Sequence, residues 1–292
     1  MKLTEINIRD PFILPYEGKY YLYGSRVGVP EEGKYWGDQL GFDVYVSEDL
    51  QNWSEPKTIF EKNDNFWGEK DFWAPEVHMY NGKFYLLASF KAEDKCRGTH
   101  ILVCDTPDGI FMPVSDVPAT PADWECLDGT LYVDKKGVPY IVFCHEWVQI
   151  GDGTVCAVQL SEDLSKPVSE PRVLWHASDY AEVKSESEIP TNLVTDGPFM
   201  FRGDNGELYC IWSTFNKNGY AELVCKSDNG DIDGNWSVME QPLSSKDGGH
   251  GMIFTTLCGK QCFVMHKPNA VTKERPVISL LQQEDGRLFI AE

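Results

Sequence analysis

The chain of 292 residues is poor in positive charge: 26 Lys and Arg stand against 46 Asp and Glu, a formal net charge of −20. That imbalance makes binding to nucleic acid or to an anionic membrane unfavourable and suits a neutral substrate. No apolar run approaches the roughly 20 residues that cross a bilayer. The opening MKLTEINIRD has no apolar segment of signal-peptide length, so a cytoplasmic location is expected. No stretch sustains a 3.6-residue apolar period, which argues against long amphipathic helices. A Gly-rich phosphate loop and a Ser-His-Asp signature are also missing. The nine cysteines are an odd number, mostly inside apolar runs such as those of Cys104, Cys144, Cys210 and Cys225. Reduced, buried thiols are therefore expected. Cys258 and Cys262 lie close together, but no second pair at zinc-site spacing accompanies them.

Strand-forming residues and turn glycines are plentiful. Apolar residues make up 42% of the chain and aromatics 13%, with nine tryptophans. Trp53 and Trp236 follow polar turns and read as structural. Five times a short apolar strand meets a turn glycine and then an aromatic-rich strand, at Gly18, Gly82, Gly137, Gly206 and Gly259. The spacing between successive copies is 53 to 69 residues. Each copy continues into two further short strands rich in Val, Ile, Tyr, Phe and Leu, and the last of the second copy, near MPVSD, is weak. Five units of four strands point to an all-β protein, a five-bladed β-propeller with four antiparallel strands per blade. A β-sandwich of twenty short strands would not explain the five-fold register. The inserts Val27–Gly41, Glu61–Asp71, Val148–Gly153 and Ser178–Thr195 are polar or Gly-rich and read as loops walling a pocket. No composition shift divides the chain, so residues 1–292 are expected to form one domain.

Counting back eight to ten residues from the turn glycines reaches Asp10, Trp73, Asp128, Asp196 and His250. Innermost strands of a propeller begin at the channel mouth, so these side chains are expected to converge there. Taken singly, each aspartate could be an Asx-type turn cap; the shared register is what argues for a site. Glycoside hydrolysis needs one carboxylic acid to protonate the leaving oxygen and one carboxylate to activate water or attack. A third carboxylate nearby raises the pKa of the acid by like-charge repulsion. Arg9, Trp73, Glu76 and Glu146 are candidate sugar-binding residues around these acids. For Glu76 a solvent-facing strand end is equally open, and His145 reads first as a structural hydrogen-bonding residue and second as a substrate contact. His78, His100, His176 and His266 show no partner pattern and read as surface or packing residues.

The segments Arg9-Asp10-Pro11-Phe12, Phe72-Trp73-Ala74-Pro75-Glu76-Val77, Leu127-Asp128-Gly129 and Gly249-His250-Gly251 resemble those of glycoside hydrolase family 43, over essentially the whole chain. The resemblance implies a five-bladed propeller and an inverting enzyme, mostly α-L-arabinofuranosidases, β-xylosidases and arabinanases. It implies Asp10 as general base, Asp128 as the residue that raises and orients the acid, and Trp73 as part of the sugar pocket. It also implies His250 beside a calcium or sodium ion held through water in the central channel, with no other cofactor. The family's general acid is usually a Glu followed by Gly-Pro, and here Asp196 stands in its place, shorter by one methylene. Asp196 ranks first as the acid, Glu146 next, and Glu186 and Glu188 after them. The resulting expectation is an exo-acting hydrolase releasing a terminal pentose, arabinofuranose before xylose, from an oligosaccharide. Exo action rests on the inserts at Val27–Gly41 and Ser178–Thr195 closing the channel into a pocket. An endo-acting arabinanase or xylanase and a non-catalytic carbohydrate-binding propeller are the alternatives; carboxylates at all three acid positions favour an enzyme. The Asn-Asp-Pro-Asn-Gly signature of fructan-cleaving enzymes is absent, and around these motifs only Arg9 and Arg202 could hold the phosphate that a phosphorylase needs. Oligomeric state is not legible.

Overall fold

The five turn glycines all lie at φ between 76° and 83°, where a side chain would be strained, and each closes a tight antiparallel hairpin. The computed structural model describes residues 1–28 and 39–290. Their strands form five four-stranded antiparallel sheets, each ordered as in the sequence. The first strands are Ile8–Tyr16, Lys70–Tyr80, Cys126–Val133, Asp196–Arg202 and Gly249–Thr255 in blades 1 to 5. Each touches the first strand of both neighbouring blades, the fifth touching the first, which is a closed ring around an axis. The weak strand of blade 2 is the two-residue Met112–Pro113, and the only α-helix among the described residues is Trp147–Ile150. Most of the blade 1 insert, residues 29–38, lies outside the described residues.

Aromatic packing holds adjacent blades together. Between blades 1 and 2, Phe42, Phe60, Phe66, Phe72 and Phe90 form a cluster with ring centroids 4.7–6.3 Å apart. Each such pair contributes about 0.5–1.5 kcal/mol beyond simple burial. Trp175 and Trp212 do the same between blades 3 and 4. Phe12 of blade 1 meets His78 of the neighbouring blade 2 at 5.0 Å and, across the axis, Phe199 of blade 4 at 6.1 Å, both edge-on.

Every first strand also carries a β-bulge near its start. In ladder register, Arg9, Trp73, Leu127, Asp196 and Gly249 are equivalent, opposite Ser25, Ser89, Cys144, Ser213 and His266 of the second strands. The residue after each, Asp10, Ala74, Asp128, Gly197 or His250, has φ between 49° and 57°. For the four non-glycine residues this left-handed backbone costs on the order of 1–3 kcal/mol, so surrounding contacts must enforce it. They are visible: the Ala74, Asp128 and His250 N–H groups donate to Ser25, Ser89 and Ser213 Oγ of the preceding blade, at 2.7, 2.8 and 2.7 Å. The Asp10 N–H donates to His266 Nδ1 at 3.3 Å, and the Gly197 N–H to Asp128 Oδ2 at 3.1 Å. Each blade thus pins the bulge of the next.

Candidate active site

The bulge places two layers of side chains at one end of the channel. Arg9, Trp73, Leu127 and Asp196 come from the outer position, and Asp10, Asp128 and His250 from the bulge itself; all seven line one cavity of about 450 Å³. Glu146 and Trp147, at the start of the short helix, join them, as do Glu186 from the blade 4 insert and Asn269 from blade 5. Glu188 does not. The register inferred from the glycines therefore holds for Asp10, Asp128 and His250, whereas Trp73 and Asp196 sit one residue earlier, at the level of Arg9. Ala74 and Gly197 occupy the two remaining bulge positions. Gly197 is needed there: at φ 50° a Cβ would lie 2.6 Å from His250 Cδ2.

The carboxylates have unlike surroundings. Asp10 is buried, accepting the Ser25 hydroxyl on Oδ2 at 2.6 Å and facing His250 Nδ1 with Oδ1 at 3.2 Å. Burial is the strongest influence and pushes its pKa up, but His250 and Arg9, with the Ser25 hydrogen bond, hold it below the ordinary value. Asp128 is pushed well above its ordinary value, by burial first and by the Asp10 charge second. Asp196 is pushed up to about 7, by burial first and by Asp128 second. Its Oδ2 accepts the Tyr220 hydroxyl at 2.9 Å. One lowered carboxyl, Asp10, beside two raised ones, Asp128 and Asp196, in the same cavity gives the division of labour that acid–base chemistry requires.

The chain's sequence decides what this arrangement is related to. Residues 4–286 match the model of glycosyl hydrolases family 43. The chain belongs to that family. Its fold superposes on an endo-arabinase from Bacteroides thetaiotaomicron VPI-5482 with a TM-score of 0.90 and 38% identity, over 98% of each chain. A xylosidase/arabinosidase of Bacteroides ovatus is 26% identical over 243 residues, 74% of this chain and 72% of that protein. Xylosidase/arabinosidase 43A of Humicola insolens is 26% identical over 153 residues, 50% of this chain and 46% of that protein, so the match spans about half of that relative's length.

In this family 43 chain, Glu146 is engaged: its Oε2 accepts Arg97 Nε at 2.9 Å. Glu76 does not line the cavity and pairs with His78 at 2.7 Å. His145 stacks on Trp124 at 4.2 Å and bonds Gln149, away from the cavity. His266, which reads as a packing residue in the sequence, is instead fully buried against Asp10. Burial, above all, lowers its pKa to about 3, so it is neutral, and its ring stacks on Tyr220. Arg97, Tyr220 and Glu222 have no sequence signal of their own, because they come from third strands and reach the site only through the ring. Glu222 Oε2 accepts Ser213 Oγ at 2.7 Å and the Gly251 N–H at 3.1 Å, clamping the His250 bulge. Thr99 and Ser89 clamp the Asp128 bulge in the same way.

The resemblance sets a water-held ion beside His250. His250 Nδ1 already faces Asp10 Oδ1 at 3.2 Å and Asp128 Oδ2 at 3.7 Å. Among the described residues no three His, Cys, Asp or Glu side chains are disposed to hold a metal. The pairing engages only Nδ1 and leaves Nε2 without a hydrogen-bond partner among the described residues, and no step below runs through an ion.

Proposed function

We propose that this chain hydrolyses α-L-arabinofuranosyl linkages of arabinan-type oligosaccharides with inversion at the anomeric carbon. The observation that carries the reading is the opposed pair in one cavity, Asp10 held low and Asp196 raised to about 7. Asp10 is the base that takes a proton from water, and Asp196 is the acid that protonates the departing oxygen. Asp128 hydrogen-bonds the Gly197 N–H beside the acid and, by its charge, adds to the acid's raised pKa. Proton NMR of the first turnovers is expected to show the inverted anomer; early retention would require a covalent intermediate and remove Asp10 from the role of base.

The likeness to an endo-arabinase at 38% identity favours cleavage within the chain over release of a terminal sugar. Part of the wall on which exo action rested, at Val27–Gly41, falls outside the described residues. Sizing the early products of linear arabinan separates the two: mixed oligomers support endo action, and arabinose alone supports exo action. No cleavage of arabinan, xylan or any nitrophenyl pentoside would turn the reading toward a binding propeller.

The pH profile follows from the same pair. The acid works only when protonated, so kcat/KM is expected to fall above pH 7 as Asp196 ionises, roughly tenfold per unit. The base works only when ionised, and its lowered pKa keeps it so down to the acid end of the profile. A profile still rising at pH 9 would remove Asp196 from the role of acid.

A further inference from the structure

Arg97, from the third strand of blade 2 (Lys95–Cys104), lines the cavity yet is only 8% exposed. Its Nε donates to Glu146 Oε2 and its Nη1 to Asp71 Oδ2, both at 2.9 Å. The guanidinium also lies over the Trp73 ring, with Cζ 3.8 Å from the centroid. Its backbone N–H donates to Glu125 at 2.8 Å, and Lys91 holds that carboxylate at 2.6 Å. A fork fixed in plane and direction has given up its rotamer freedom before any ligand arrives, so binding to it is preorganised.

The pairing leaves one donor and one acceptor on the two joined side chains. Among the described residues, Arg97 Nη2 and Glu146 Oε1 have no hydrogen-bond partner. Two adjacent hydroxyls of a sugar fit that pair: one donates to the carboxylate, and its neighbour accepts from the guanidinium. Trp73 lies against the same guanidinium and offers an apolar ring to the C–H face of the sugar. Two carboxylates, Asp71 and Glu146, already offset the one positive charge, so an anionic sugar has no advantage here.

We propose that Arg97 and Glu146 form a vicinal-diol subsite beside Trp73, which selects neutral sugars carrying two unsubstituted adjacent hydroxyls. The assignment makes Glu146 a binding residue and leaves proton donation to Asp196. It rests on the glycosidase reading for its substrate class, so binding and turnover are measured separately.

The binding experiment is calorimetry of arabinotriose, xylotriose and their monodeoxy analogues with the slowed Asp10→Asn protein, alone and combined with Arg97→Lys or Glu146→Gln. Lysine keeps the charge and loses the planar fork, so the fold is less at risk than with alanine. Arg97→Lys is expected to weaken the preferred triose about ten- to a hundredfold, the loss of one charge-assisted hydrogen bond. The deoxy analogue lacking the hydroxyl read by Arg97 is expected to bind both proteins alike. The deoxy series on the Asp10→Asn protein alone asks the same question without touching Arg97. Equal losses for every analogue would mean that the arginine only props up the wall, and would overturn the subsite. No loss at all, or no binding of either triose, would overturn it as well. Turnover of arabinotriose by the unmodified chain reports on the other reading. Binding without hydrolysis keeps the subsite and loses the enzyme; hydrolysis without diol dependence keeps the enzyme and loses the subsite.

Discussion

Asp10→Asn is expected to abolish turnover on every glycoside, activated or not, because water must be deprotonated whatever the leaving group. General base assistance is typically worth about 10²–10⁴-fold, and the loss should fall in kcat. The substitution is nearly isosteric. The new amide oxygen can still accept the Ser25 hydroxyl that holds Oδ2 at 2.6 Å, and the backbone N–H still reaches His266. The position facing His250 Nδ1, 3.2 Å away, loses its negative charge. Oligosaccharide affinity, measured by calorimetry, should stay within an order of magnitude while kcat collapses, which separates lost chemistry from a lost pocket. A kcat within tenfold of the parent on arabino-oligosaccharides would show that another group activates water, and the mechanism would have to be rebuilt around Asp128.

Much of the ring was legible because it is written locally. Each turn glycine marks a hairpin, and a hairpin repeated five times with alternating apolar residues has few ways to cover its edges. The cavity was legible for the same reason, since the residues that open each first strand must meet at the axis. The layer was not. A β-bulge adds a residue to one strand without changing its composition, so counting back from the glycine merged two rings of side chains. Asp10, Asp128 and His250 lie on the bulge, whereas Trp73 and Asp196 precede it. Nothing in the sequence revealed that Ser25, Ser89 and Ser213 pin the next blade, since each reaches a partner 37 to 49 residues away. Arg97 and Glu222 were hidden more deeply. They lie on third strands, in runs that read as ordinary strand, and acquire meaning only when a neighbouring blade closes over them.

Asp196→Asn is expected to behave differently from Asp10→Asn, and the contrast identifies the proton donor. An amide cannot protonate a leaving oxygen, so oligosaccharides, whose alkoxide departs poorly, should lose about 10²–10⁴-fold in kcat/KM. Nitrophenyl pentosides leave without help and should be nearly spared, if the cavity accepts them. The basic limb of the pH profile, set by the carboxyl raised to about 7, should vanish with the same substitution, leaving a plateau to high pH. The structure also says why Glu146 is a poor rival: its Oε2 is engaged by Arg97, and moving it toward a leaving group would break a pair whose two side chains are 9% and 7% exposed. Asp196 has one anchor, the Tyr220 hydroxyl on Oδ2, and Oδ1 has no hydrogen-bond partner among the described residues. Its reach is about 1.5 Å shorter than that of a glutamate, so Asp196→Glu tests whether the wall has adapted to the shorter acid. Activity that survives Asp196→Asn on unactivated oligosaccharides, with the basic limb intact, would transfer the role of acid to Glu146. Glu146→Gln would then show the leaving-group dependence in its place, and the diol subsite would fall with it.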